Sequence, residues 1–421
     1  MKYNLPVLAA ITLAVLPISA MAQSEPGLPD EASVQTALDD HPSVVAARAR
    51  VEAAKAEARA LGAGPHEVTV SGSYTRRNVD IDGSFNEFDA TVMRPFRLPG
   101  KKKLDREAGE FGIVAAENRA EDVKHQAATL LGSLWWEWLG AGAEARIDTQ
   151  AVKNYEATLK SIHRRVELRD AAQLEADQAE AALGSARLMA EQSKGRADYA
   201  RARIAAQFPS LALPVEPPKM PLPTIPENGF LALRDLVIKH SHEIAAAEAE
   251  AARVKALAER SRKDRFADPS LGFRVFSERD GMEKGAGIIA SIPLGGRHRR
   301  AIADRATSEA LAVQSEAAAV RFDVLEVAET DLAAAEAAWR SWGRSREGMK
   351  AQVDGLMKMR RGYDLGAFDL SDLLLSERMA HDAFRAEAQA RKDALDAITK
   401  LRIDSHSLWI GEDEHGHKAD K

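Results

Sequence analysis

"PSLGFRVFSERDGMEKGAGIIASIPL", Pro269 to Leu294, is a short strand-like island in an alanine-rich, helix-favouring chain of 421 residues. Leu271, Phe273 and Val275, then Ala286, Ile288, Ala290 and Ile292, alternate with small or polar residues, and Asp280-Gly281 supplies a turn between them. Period-two alternation around an Asp-Gly pair predicts a β-hairpin over 269–294. "HEVTVSGSYTRRNVDIDGSFNEFDATVMRPF", His66 to Phe96, has the same form, with Val68 and Val70 alternating and Asp82-Gly83 at the turn.

Two hairpins in comparable surroundings suggest that the chain is written twice, which decides how everything else is read. "ALDDHPSVVAARARVEAAKA" (37–56) precedes the first and overlays "LVIKHSHEIAAAEAEAARVKA" (236–256) before the second, with His41 on His240 and Val45 on Ile244. Both stretches read as helix. Each hairpin ends in a proline and glycine break, "RPFRLPGKKK" and "SIPLGGRHRR". A very long helix follows, from about Lys101 to about Arg169 and from about Arg297 to about Leu365. At 1.5 Å per residue each is on the order of 100 Å long, which no ordinary globular domain needs.

Ala127, Leu131, Leu134, Trp138 and Ala141 on the first long helix, and Leu325, Ala328, Leu332, Ala335, Trp339 and Trp342 on the second, are spaced three and four apart as in a coiled-coil seam. Trp135, Trp136, Trp138, Trp339 and Trp342 are expected to be packed. A short turn and a shorter helix close each half, Ala172 to Gln207 and Leu370 to Ile403. "FPSLALPVEPPKMPLPTIPENG" joins the halves with seven of the 17 prolines, an extended, semi-rigid linker. The expected organisation is a signal segment over 1–22, a first repeat over 23–207 with its tip near 168–172, and the linker over 208–229. A second repeat spans 230–404 with its tip near 364–369, and 405–421 form a polar tail.

Lys2, the apolar run Leu5 to Ala20 and the small-x-small site Ala20-Met21-Ala22 read as a cleaved secretory signal peptide. The chain has no cysteine, so a disulfide framework, a thiolate site and a lipidated N-terminal cysteine are all excluded. Net charge is −6 with 29% charged residues, which argues against nucleic acid as a partner. "GGRHRR" at 295–300 lacks P-loop spacing and ending, and no His-Glu-x-x-His helix occurs. Neither an enzyme nor a cofactor is expected. No later stretch approaches the roughly 20 apolar residues of a membrane helix, so any membrane crossing must use strands. Four strands leave open edges, and closure with strands from further copies into a barrel removes them.

The break at "RRGYDLGAFDLSDLLLSERM", Arg360 to Met379, carries Tyr363, Gly366, Asp372 and Leu374. This resembles the "Y-x-x-G…D-x-L" turn of the outer-membrane efflux channels typified by TolC, and nearly all of the mature chain is similar, in the order of its elements, to their CzcC-like branch, associated with heavy-metal RND pumps. The resemblance implies a mainly α fold with a transmembrane β part. It implies a homotrimer in which a periplasmic helical barrel joins a 12-stranded outer-membrane β-barrel in membrane lipid, four strands from each chain. It also implies a periplasmic membrane-fusion adaptor and an inner-membrane RND-type pump as partners, with a passive export duct as the activity.

Tyr363 and Asp372 match aperture-closing positions of the family, with Asp369 a further candidate that could equally cap the next helix. Phe368 stands where TolC has an arginine and Leu375 where it has a second acid, so only one acid ring could form there. In the first half, "RRVELRDAAQLEADQAEA" overlays this turn with Arg165 on Arg361, Asp170 on Gly366 and Leu174 on Leu370. The resemblance makes Leu168, Arg169, Asp170 and Ala171, with Leu365, Gly366, Ala367 and Phe368, adaptor-docking tips. His406, His415 and His417 make the tail either plain polar chain or a weak metal binder. A drug, small-molecule or protein channel shares every one of these features, and a periplasmic coiled-coil adaptor shares the long helices.

Overall fold

The computed structural model describes residues 26–410. The signal segment, His415 and His417 therefore lie outside the described residues. Strands β1 (Thr69–Val79), β2 (Gly83–Pro95), β3 (Ser270–Glu278) and β4 (Glu283–Ser291) form one antiparallel sheet in the order β1-β2-β3-β4. A single 3-10 turn, Arg279–Gly281, joins β3 to β4. The two halves of the chain meet at β2-β3, where Val92 lies opposite Phe273 and Ala90 opposite Val275.

The register places the apolar alternation of all four strands on one face. Val70 faces Val92 and Tyr74 faces Phe88, while Phe273 faces Ile288 and Leu271 faces Ala290. These side chains are open to the surroundings, Ile288 to 86%. The other face is largely polar, with Thr91 opposite Arg274 and an Arg274–Asp89 ion pair across β2 and β3. Apolar outside and polar inside is the pattern of a strand that borders lipid on one side and a lumen on the other. β1 and β4 each keep one edge unpaired within the chain.

The helices run in two layers of length. α3 (Lys101–Glu167) and α7 (Arg297–Asp364) have 67 and 68 residues. α2 (Pro42–Ala63) and α4 (Gln173–Gln207) lie along successive parts of α3, and α6 (His242–Lys263) and α8 (Leu370–Asp404) lie likewise along α7. α3 also packs against α6 and α8, so the order across the molecule is α2 or α4, α3, α6 or α8, then α7. Among the described residues no helix is long and apolar enough to cross a membrane.

The helix expected over 37–56 is instead two, α1 (Glu31–Asp39) and α2, and the overlaid stretch is likewise split into α5 (Gly229–Lys239) and α6. Local capping explains the breaks. His41 Nδ1 accepts from Ser43 N with Pro42 at the first helical position, and Ser241 Oγ accepts from Ile244 N at 3.2 Å. These caps pair His41 with Ser241, one place away from the residue-type overlay of His41 on His240.

The largest core sits midway along the helices, around Trp135, Trp136, Trp138, Leu131 and Leu139 of α3. Three of the indoles find partners: Trp135 Nε1 donates to Gly27 O at 2.7 Å, Trp136 Nε1 to Thr399 Oγ1 at 2.8 Å, and Trp342 Nε1 to Glu387 Oε1 at 2.9 Å. Truncating a fully buried Trp138 to alanine is worth about 3–5 kcal/mol. Leu325 departs from the expected seam and is partly open. The proline-rich connection is not a free tether: Phe208, Leu211 and Met220 are buried in the same core, and Arg146 donates to Pro217 O at 3.1 Å. Nor is the chain after α8 a loose polar tail at its start, because Trp409 and Ile410 are buried there too.

Candidate functional site

At the end of the molecule away from the sheet, the chain turns twice within a few residues: α3 to α4 through Leu168–Ala172, and α7 to α8 through Leu365–Asp369. Both turns close by the same backbone device. Asp170 N donates to Arg165 O and Ala367 N to Gly362 O, each at 2.8 Å, reaching back over a left-handed residue. That residue is Arg169 at φ 61° in the first tip and Gly366 at φ 73° in the second. The matched pair is thus Arg169 with Gly366, not Asp170 with Gly366; Arg165 falls over Gly362 and Leu174 over Ser371. The sequence overlay slipped by one because it matched residue types, whereas helix ends are matched by where the backbone leaves the right-handed region.

Leu168 and Leu365 occupy equivalent positions and project as apolar knobs, 63% and 77% exposed. Arg169, Asp170, Gly366 and Ala367 are exposed, and Ala171 is half-buried. Phe368 folds over Gly362, whose missing side chain makes the room: a Cβ there would come within 2.4 Å of the ring. Behind the turns, Ile162, Ala176 and Ala179 of the first pair pack against Leu370 and Leu373 of the second, making the tips one body.

The polar link across that body is Arg165. Its Nη1 donates to Tyr363 Oη at 2.6 Å, its Nε to Asp170 Oδ2 at 2.9 Å, and its guanidinium lies 5.4 Å from the Tyr363 ring centre. Burial pushes the Tyr363 phenol above its usual range, so it acts as a neutral hydroxyl. Asp369 caps α8, its Oδ1 accepting from Asp372 N at 2.9 Å. The Asp372 carboxylate is exposed and has no hydrogen-bond or ion-pair partner among the described residues. Tyr363 and Asp372, paired in the sequence motif, are therefore not bonded to each other.

Further up, polar contacts unmarked in the sequence hold α8. Buried Glu377 accepts from Arg360 Nη2 at 2.9 Å, and fully buried Asp148 of α3 contacts His381 Nε2 at 2.7 Å and Arg385 Nη1 at 3.3 Å. Burial works to raise the Asp148 carboxyl, but His381, Ser193 and Arg385 outweigh it and hold it below its usual value. The available signal was an aspartate in a small-residue seam and a His-x-x-x-Arg pair on one face of α8, a pattern that surface helices share.

His406 does not sit on a free tail. It is 8% exposed, its ring 5.6, 5.7 and 4.9 Å from those of His125, His240 and His242. Among the described residues no three histidine, aspartate or glutamate side chains are arranged to hold a metal ion.

A four-stranded sheet with an apolar outer face, continued by two paired helices of this length, can be compared with known proteins. Residues 33–207 match the outer membrane efflux protein family. Solved structures match over nearly the whole chain. CusC is 16% identical with a TM-score of 0.74, covering 89% of this chain and 91% of its own. A membrane protein from Pseudomonas aeruginosa is 19% identical with a TM-score of 0.75 over 90% of each chain. The outer membrane protein VceC of Vibrio cholerae is 19% identical with a TM-score of 0.71, covering 90% of this chain and 96% of its own. No curated relative matches. The resemblance read from the sequence is thus matched by the family model over the first repeat and by the fold over nearly the whole chain, and these matches do not separate the CzcC-like branch from its relatives.

Proposed function

We propose that three copies of this chain form an outer-membrane exit duct of a tripartite efflux system, with the four-stranded sheets closing into a 12-stranded barrel. The observation that carries this reading is the sheet itself. Its apolar face is open and its β1 and β4 edges are unpaired, which is untenable for an isolated exported chain and resolved at once by lipid and neighbouring copies. The family match and the CusC-like fold support it. A coiled-coil adaptor has no use for such a sheet.

In this reading the helices form a periplasmic tunnel, and a membrane-fusion adaptor bound to an RND-type pump docks at Leu168, Arg169, Asp170, Ala171, Leu365, Gly366, Ala367 and Phe368. Arg165–Tyr363 and the Asp148 contacts hold the second helix pair against the first and oppose widening of the entrance. Asp372, unpartnered within the chain, rings the aperture and favours cations, since like carboxylates brought to one axis attract counter-ions. Asp369 supports it from behind as the cap.

The proposed cargo is heavy-metal cations, as in the CzcC-like branch. The test is a deletion strain challenged in parallel with heavy-metal salts and with lipophilic drugs. Hypersensitivity to metals, restored by the gene, is expected. Hypersensitivity to drugs alone overturns the metal assignment, and fractionation of the protein away from the outer membrane overturns the duct.

A further inference from the structure

Residues 405–410, which follow α8, turn back onto the molecule. Ser405 N, His406 N and Ser407 N donate to Leu401 O, Ile403 O and Arg402 O at 3.0, 2.9 and 2.9 Å, turning the backbone back. Both His406 and Trp409 are left-handed at φ 60°, a conformation that is unfavourable for a non-glycine residue and persists only where packing holds it. The packing is visible: Trp409 and Ile410 are buried in the mid-helix core, and Gln35 of α1 donates to Trp409 O. Ser405–Ile410 is a strap that fastens the end of α8 to α1 and α3.

His406 is the hinge of this strap and is surrounded from every side by ionisable groups. α3 contributes His125 and Asp122, the end of α5 His240, α6 His242 and Glu243, α8 Lys400 and Asp404, and α7 Asp331. Two carboxylates near it are already engaged. Asp404 contacts His125 Nε2 and Lys400 Nζ, both at 2.7 Å, and Glu243 accepts from Ser241 Oγ at 2.7 Å. His406 Nε2 is buried with no hydrogen-bond partner. A cavity of about 270 Å³ lies beside the ring. A proton placed on His406 would thus be a buried charge facing three imidazoles, with Asp404 and Glu243 already bonded elsewhere.

We propose that the strap is a proton-released latch, docked while His406 is neutral and freed from the core when His406 takes up a proton. The inference does not rest on the duct reading. Burial, then His242, His125 and His240, hold His406 down at about 4 against its ordinary 6.5. The sign follows: the freed strap binds the proton first, so docking is full above pH 6.5 and weakens as pH falls toward 4. Each pH unit in that window costs tenfold, about 300-fold in all. Two neighbours pull the other way: Asp404 and its other acidic neighbours raise His125 above its ordinary value despite its burial, and burial and Glu243 raise Asp122 to about 6.

The experiment is hydrogen exchange on the full-length protein in detergent, reading protection factors for amides 405–410 between pH 7.5 and 4.5, each corrected for intrinsic exchange. The expected result is a loss of tens of fold to about 100-fold by pH 4.5, with amides at the tips unchanged. His406→Gln, which cannot charge, is expected to keep the protection and lose its pH dependence. Flat protection in the wild type, or an unaltered loss in H406Q, overturns the latch. If H406Q does not dock at pH 7.5, His242→Gln decides: removing one repelling ring should make the loss smaller, and an unchanged loss overturns the proposal.

Discussion

The two tips share one backbone and cap it in opposite ways. In the second, the Asp369 side chain reaches forward to Asp372 N. In the first, Ala172 has no side chain to offer, and Glu175, equivalent to Asp372, reaches back so that Ala172 N donates to its Oε1 at 3.3 Å. These are the two halves of a capping box, one used at each tip. The consequence is electrostatic: Glu175 is occupied by its cap, whereas the Asp372 carboxylate is left for other work. The tips differ again at the left-handed position, where the second has Gly366 and the first tolerates Arg169.

Exchanging features between the tips breaks or sharpens this comparison. The largest effect is expected at the left-handed residue. Gly366→Ala should destabilise the second tip by about 1–2 kcal/mol and Arg169→Gly should stabilise the first by about 1 kcal/mol, read as local hydrogen-exchange free energies. Equal and small changes at both tips would mean that the turns are set by packing rather than by backbone preference.

Next comes the cap. Asp369→Ala makes the second tip resemble the first and should cost about 1 kcal/mol, while Ala172→Ser should add up to about 1 kcal/mol to the first; the same exchange measurement checks both. Tyr363→Phe follows, losing the Arg165 hydrogen bond for ~0.5–1 kcal/mol, because Arg165 keeps Asp170. Wider single-channel conductance is the accompanying sign that this bond restrains the aperture, and unaltered conductance counts against it. Asp372→Ala should change stability by less than about 0.5 kcal/mol and reduce cation preference in planar bilayers, an effect Glu175→Ala should not share. Matching shifts in both variants would dissolve the distinction between them.

Much of the architecture was legible. The mainly helical class and the two β-hairpins follow from periodicities of two and of three to four, which are local and survive without knowledge of neighbours, whereas the TolC-like fold came from the resemblance carried by element order and the Tyr363–Leu374 turn. Even the sheet register agrees with the alternation of Leu271, Phe273, Val275 and Ile288, because one face had to be apolar throughout. The overlays of the halves were a residue out at both the mid-helix break and the tips, since they compared His41 with His240 and Asp170 with Gly366 by letter rather than by cap.

The site was legible only in outline. Gly366 and Asp369 announce a cap through their chemistry, but Arg165 meeting Tyr363, Asp148 meeting His381, and His406 meeting His125, His240 and His242 all join residues remote in the chain. By itself, then, the sequence determined which stretches are helix and strand and which faces are apolar, since these depend on a few residues at a time. Only the tertiary structure decided which acid is spent on a cap and which is free, and that His406 is buried among three other histidines. Those outcomes depend on what desolvates a group and what stands opposite it, and both are supplied by helices that the chain reaches only after long excursions.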